Sequence, residues 1–166
     1  MFKFLRLFGN HCFGFWIFGL LLFAVQEIPY MVMPLFKLQT NPIMNMTESS
    51  SFLDMFEKIL GSLCIAFMIF VVNKNSNLFL PADGREKIFF ALSAAVLLLN
   101  FIGWGIYFGG RQSVFVMMFF IVIMPPMYYF FVGLWRENIL LTITAVPFLI
   151  VHFIHVLGNL RSDYKF

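Results

Sequence analysis

Charge is scarce in this sequence. Only 11% of its 166 residues are charged while 61% are hydrophobic, so a water-soluble domain of this size is excluded: it could not cover so much apolar surface. The eleven basic residues give a net charge of +3 but are spread one to three per polar segment, which excludes the clustered positive face that nucleic acid requires. Cysteine is almost absent as well. Cys12 and Cys64 form neither a disulfide framework nor a metal cluster, and their apolar surroundings predict two buried small hydrophobes.

What fills the sequence is apolar and aromatic, with 25 phenylalanines. The length allows one domain, and the bilayer supplies a solvent in which an apolar exterior is stable. Spanning the hydrocarbon as a helix takes about 20 uncharged residues, so the gaps between charges locate the candidate spans. Arg6 and Glu27 bracket twenty residues, Lys87 and Arg111 twenty-three, Arg111 and Arg136 twenty-four, and Glu137 and Arg161 twenty-three. A shorter gap of fifteen, between Lys58 and Lys74, reaches membrane length if the amphipathic lead-in Phe52, Leu53, Met55 and Phe56 joins it, with Ser51 and Asp54 as its cap. The expected fold is therefore an all-α bundle of five transmembrane helices in a single domain, residues 1–166. Its spans are expected at about 7–26, 54–73, 88–110, 112–135 and 138–160, with a loop at 37–53. Lys3 and Arg6 ahead of an apolar run imitate a secretory signal, but no small-x-small site follows LLFAVQEIP, which predicts a retained first helix. The short turns GGRQS and WREN make the last three helices an antiparallel unit. Five spans put six basic residues on one side and five on the other, Lys165 among them, so orientation stays open.

Polar residues within spans carry most of the functional information, because each needs a partner where water is absent. His152, His155 and Asn159 share one stripe of the last span. Such a set can pack across helices, bind a metal, handle protons, hold a polar ligand, or serve catalysis, since His155 and Asn159 have the HxxxN spacing of some intramembrane hydrolases. A hydrolase also needs a nucleophile or an acidic pair, and the central spans contain no Asp or Glu. Pro125 and Pro126 must bend the fourth span. Met117, Met118, Met124 and Met127 read as adaptable packing rather than a soft-metal path. Glu27, closing the first expected span beside Pro29, reads as a carboxylate reaching the interface or as part of an ion path. The loop KLQTNPIMNMTESSS serves as connector or lid, and Asn45 heads a glycosylation triplet.

From Leu98 to Asn159 the chain resembles the translocator protein or tryptophan-rich sensory protein family. In LLLNFIGWGIYFGGRQ, the residues Asn100, Ile106, Phe108, Gly109, Arg111 and Gln112 stand in that family's third-helix register. Pro147, Leu149 and Asn159 answer to its fifth helix, Pro147 standing forty-seven positions after Asn100. The family's tryptophan- and proline-rich first loop has no counterpart here, and Gly103, Phe115 and Val151 stand where its members often carry tryptophan. The resemblance implies a five-helix bundle whose cavity accepts a flat apolar ligand such as a porphyrin or sterol; by residue type alone, His152 or His155 is a candidate axial ligand if the tetrapyrrole is haem. Aromatic walls and convergent polar groups together suit such a site. The expected ligand-binding residues are Asn100, Trp104, Phe108, Phe115, Pro147, His152, His155 and Asn159, with no metal ligands assigned. The alternatives are a small transporter or transporter subunit, and an intramembrane enzyme using His155 and Asn159. Expected partners are the lipid bilayer, an apolar small molecule and, as an option, a second copy in a homodimer.

Overall fold

The computed structural model describes residues 2–74, 76 and 80–164; Lys165 lies outside them. The fold is predominantly helical. Among the described residues, strands β1 (Phe2–Phe8) and β2 (His11–Phe15) precede helix α1 (Ile17–Val32), which ends in a 3-10 turn (Met33–Leu35). Helix α2 (Ser51–Phe70) runs into strand β3 (Val71–Asn73), and α3 (Gly84–Phe108), a π-helical segment (Val116–Ile123), α4 (Met124–Trp135) and α5 (Ile139–Tyr164) follow. Four helical stretches, Ile17–Leu35, Gly84–Phe108, Val116–Trp135 and Ile139–Asp163, are long and apolar enough to cross a membrane, which is the mark of a multi-pass membrane protein.

The N-terminus departs from expectation. Residues 7–15, counted as membrane helix because they carry no charge, fold instead into a hairpin, and the first helix starts at Ile17. Gly9 is the reason: at φ +50° it occupies the first central position of a two-residue turn, where glycine adopts the left-handed region without a Cβ clash. The turn pairs Phe8 with His11, and β2 then pairs with β3 through His11–Asn73, Cys12–Val72 and Phe13–Val71. The resulting three-stranded antiparallel sheet, ordered β1-β2-β3, satisfies the backbone at one end of the bundle. β3 also ends α2 at Phe70, short of the expected residue 73.

Local signals explain the helix ends. The cap of α2 is Ser50, one residue before the expected Ser51, with its Oγ accepting from the Leu53 N–H at 3.4 Å. At α3, Asp83 accepts from the Glu86 N–H at 2.7 Å while Glu86 accepts from the Ala82 N–H at 2.6 Å, a reciprocal cap. Asn138 knots three elements: its amide N–H groups donate to the Phe67 and Val71 carbonyls at 2.8 and 3.0 Å, and its Oδ1 accepts from Leu141 N–H at 3.2 Å. Carbonyls at the end of α2 thus find partners on the α4–α5 turn.

The kink expected at Pro125 and Pro126 takes the form of the π-helical segment that precedes them. In a π ladder the Phe120 carbonyl would accept from residue 125, which as proline has no N–H. The Asn100 amide supplies the donor instead, at 2.8 Å. Close approach makes this reach feasible, since a Cβ on Gly103 would lie 2.1 Å from Phe120 Cβ.

Candidate functional site

Starting α1 ten residues later than expected changes the surroundings of Glu27. Instead of closing the span, Glu27 sits near the middle of Ile17–Leu35, and no hydrogen bond or ion pair engages it among the described residues. Its neighbour Gln26 is 3% exposed, and the Gln26 Oε1 is a buried acceptor without a partner. A lone carboxylate and an orphan amide oxygen at that depth are costly unless something is to meet them.

Across the bundle, α2 and α5 share a polar seam. Ser49 N–H and O–H both donate to Asn159 Oδ1, at 2.8 and 2.6 Å, and Asn159 Nδ2 lies 3.2 Å from His155 Nε2. Nε2 therefore accepts, which leaves the ring proton on Nδ1. Nδ1 donates to Glu57 Oε2 at 2.5 Å. The other carboxylate oxygen, Oε1, is 3.1 Å from His152 Nδ1, an ion-pair distance at which that nitrogen makes no hydrogen bond. Glu57 thus holds the proton of one imidazole and abuts a second.

Between these groups lies a cavity of about 160 Å³, lined by residues from four helices: Gln26, Glu27 and Tyr30 of α1, Gly61 and Ile65 of α2, Pro125 and Tyr129 of α4, and Phe148 and His152 of α5. His152 belongs to both features. It faces the cavity, stacks on Phe148 at 5.3 Å between ring centroids, and touches Glu57. His152 is also midway along α5, so the cavity is at the level of the membrane interior. No lysine or arginine lines it; its walls carry one carboxylate, an amide, two phenols, an imidazole and a phenyl ring.

The eight expected ligand residues do not converge. His155 and Asn159 join the seam, and His152 joins both seam and cavity. Asn100 is buried and spent on the Phe120 carbonyl. Trp104 is 1% exposed in a separate core cluster with Tyr107 and Met117, Phe108 stacks on Phe36 at 4.1 Å, and Phe115 and Pro147 face outwards. A porphyrin or haem does not fit: the cavity is smaller than the roughly 300–1,000 Å³ of drug-sized pockets, and His155 has both ring nitrogens engaged. Gly103, where the resembled family often has tryptophan, has no room for even a Cβ. Among the described residues no group of three His, Cys, Asp or Glu side chains could hold a metal ion. Cys12 and Cys64 are free and buried.

Two functional residues escaped the sequence reading. Glu57 was given no role, yet it falls on one helical stripe with Gly61, Cys64 and Met68, and the last two are buried. That shared stripe was the available signal. Gln26 had none beyond its place in an apolar run.

The loop after α1 covers this end of the bundle. Thr47 N–H donates to Asp163 at 3.0 Å, the Tyr107 hydroxyl donates to Asn41 at 2.7 Å, and Gln112 Nε2 donates to the Thr40 carbonyl at 2.9 Å. Asn45 is exposed on it. Comparison with known proteins finds no matching family model, no matching curated protein and no matching solved structure.

Proposed function

We propose that this chain is a membrane-embedded binding and transport protein for a small organic cation of the ammonium type, taken up in the cavity between α1, α2, α4 and α5. One observation carries the reading: an unengaged carboxylate, Glu27, and an orphan acceptor, Gln26 Oε1, share a cavity that has aromatic walls and no lysine or arginine. Ammonium N–H groups would fill both acceptors, and Tyr30, Tyr129 and Phe148 offer ring faces for a cation. The cavity volume suits a head of a few heavy atoms rather than the flat macrocycle suggested by the family resemblance.

In this reading α2 is a fifth span. Its two ends are tied to the two ends of α5, through Ser49–Asn159 and through Asn138 to Phe67 and Val71, so it runs beside a membrane-length helix. Its Asp54 and Lys58 neutralise each other at 2.7 Å.

The test is uptake of methylammonium and dimethylammonium into proteoliposomes, with acetate as the anionic control. Glu27→Gln should lower cation affinity by about tenfold or more, the cost of one charge-assisted contact. Equal handling of acetate, or full cation uptake by Glu27→Gln, overturns the reading.

A further inference from the structure

At the opposite end of the bundle a second cavity, about 450 Å³, lies between the start of α3, the α4–α5 turn and the hairpin. Its rim carries His11, Arg85 and Glu137, and its floor is apolar, with Leu134, Ile139 and Ile143. Ile139 and Ile143 are 48% and 63% exposed, so the floor opens sideways, where lipid chains would lie. The rim stands at the first turn of α3, the level of the headgroups.

Three features of the rim point to a ligand. His11 is 9% exposed, its Nε2 lies 2.9 Å from the Glu137 carbonyl, and its buried Nδ1 has no partner. Arg85 stands 3.6 Å from Glu137 Oε1, beyond hydrogen-bond length, with its side chain 60% exposed, so the guanidinium keeps free donors. Glu137 adopts φ +49°, a conformation disfavoured for a residue with a Cβ. It is held there by Asn73, which donates to its carbonyl at 3.3 Å and to its carboxylate at 3.4 Å. A cationic donor and an anionic acceptor thus stand side by side above an apolar groove.

We infer that this groove seats one phospholipid with a zwitterionic phosphate–ammonium headgroup. The phosphate sits on Arg85, the ammonium on the Glu137 carboxylate, and an acyl chain runs along Leu134, Ile139 and Ile143. A purely anionic head would leave Glu137 facing a like charge; a neutral head would leave Arg85 and Glu137 with nothing gained over water. The volume lies within the range of specific small-molecule sites, enough for the head and the first part of a chain.

The experiment is native mass spectrometry of the full chain in nanodiscs of mixed phosphatidylethanolamine and phosphatidylglycerol, with inorganic phosphate added in a separate arm. One phosphatidylethanolamine should be retained in preference to phosphatidylglycerol, undisturbed by phosphate. Arg85→Gln should weaken retention about tenfold, and Glu137→Gln should shift the preference towards phosphatidylglycerol. Ile143→Trp fills the exposed floor without touching the rim and should also reduce retention. Equal retention of both lipids, displacement by free phosphate, or unchanged retention in both Arg85→Gln and Ile143→Trp overturns the inference.

Discussion

Two glycines in α3, two residues apart, should respond to the same substitution with opposite sign. At Gly103 an added Cβ would lie 2.1 Å from Phe120 Cβ, 3.0 Å from its Cγ and 3.3 Å from its Cα. Carbon atoms normally rest about 3.5–4.0 Å apart, so Gly103→Ala must push the π-helical segment away by roughly 1.5 Å. Phe120 cannot yield alone, because its carbonyl is the one held by Asn100 at 2.8 Å. Overpacking of this kind costs about 1–3 kcal/mol, and loss of the Asn100 bond adds about 1 kcal/mol. The gain from replacing a helical glycine is only about 0.5–1 kcal/mol. Gly103→Ala should therefore destabilise by about 1–3 kcal/mol net. At Gly105 nothing lies within 4 Å of the added atom, and Gly105→Ala should stabilise by about 0.5–1 kcal/mol from the helix term alone. Reversible unfolding in mixed micelles, followed by far-ultraviolet circular dichroism, measures both. Equal effects, or a stabilised Gly103→Ala, would refute the account of the α3–π contact and with it the structural role given to Asn100.

Two further predictions follow from polar contacts. A double-mutant cycle on Glu57→Gln and His155→Phe should give a coupling energy of about 1.5–3 kcal/mol, the value of a hydrogen bond to a charged group; the same unfolding assay reads it, and additive losses would remove Glu57 from the seam. Arg136 is 4% exposed and stacked on Trp16 at 4.4 Å, and burial lowers its pKa to about 10. Its folded state therefore binds the proton less tightly than its unfolded state, a penalty that is full below about pH 10 and is relieved as pH rises. Arg136→Lys brings that relief into a lower pH range, since lysine starts from a lower pKa. The melting temperature of the variant should rise from pH 7 to pH 10 relative to the parent, and a flat difference would argue against the buried charge.

The transmembrane helices were legible because the cue for them is one-dimensional. A run of twenty or more uncharged residues has few other stable destinations, and the stretches after Lys87, Arg111 and Glu137 each became a membrane-length helix. The same cue failed for residues 7–15, where absence of charge is equally compatible with a strand; Gly9 in a turn and pairing with β3, some sixty residues away, decided the matter. The histidine stripe of α5 could be read from spacing alone. Its partner could not, since Glu57 looked like one charge among Asp54 and Lys58 until α2 was laid against α5.

By itself, the sequence determined that the chain is helical and membrane-spanning, that its cysteines are buried, and that His152, His155 and Asn159 share a face, because these depend on composition and on a period of 3.6 residues. Only the tertiary structure decided what those residues face. The hairpin moved Glu27 from the end of a span to its middle, the prolines diverted Asn100 from a ligand to a backbone carbonyl, and the packing of α2 on α5 placed a carboxylate between two imidazoles. Each outcome depends on contacts between residues distant in the chain, which local periodicity does not encode.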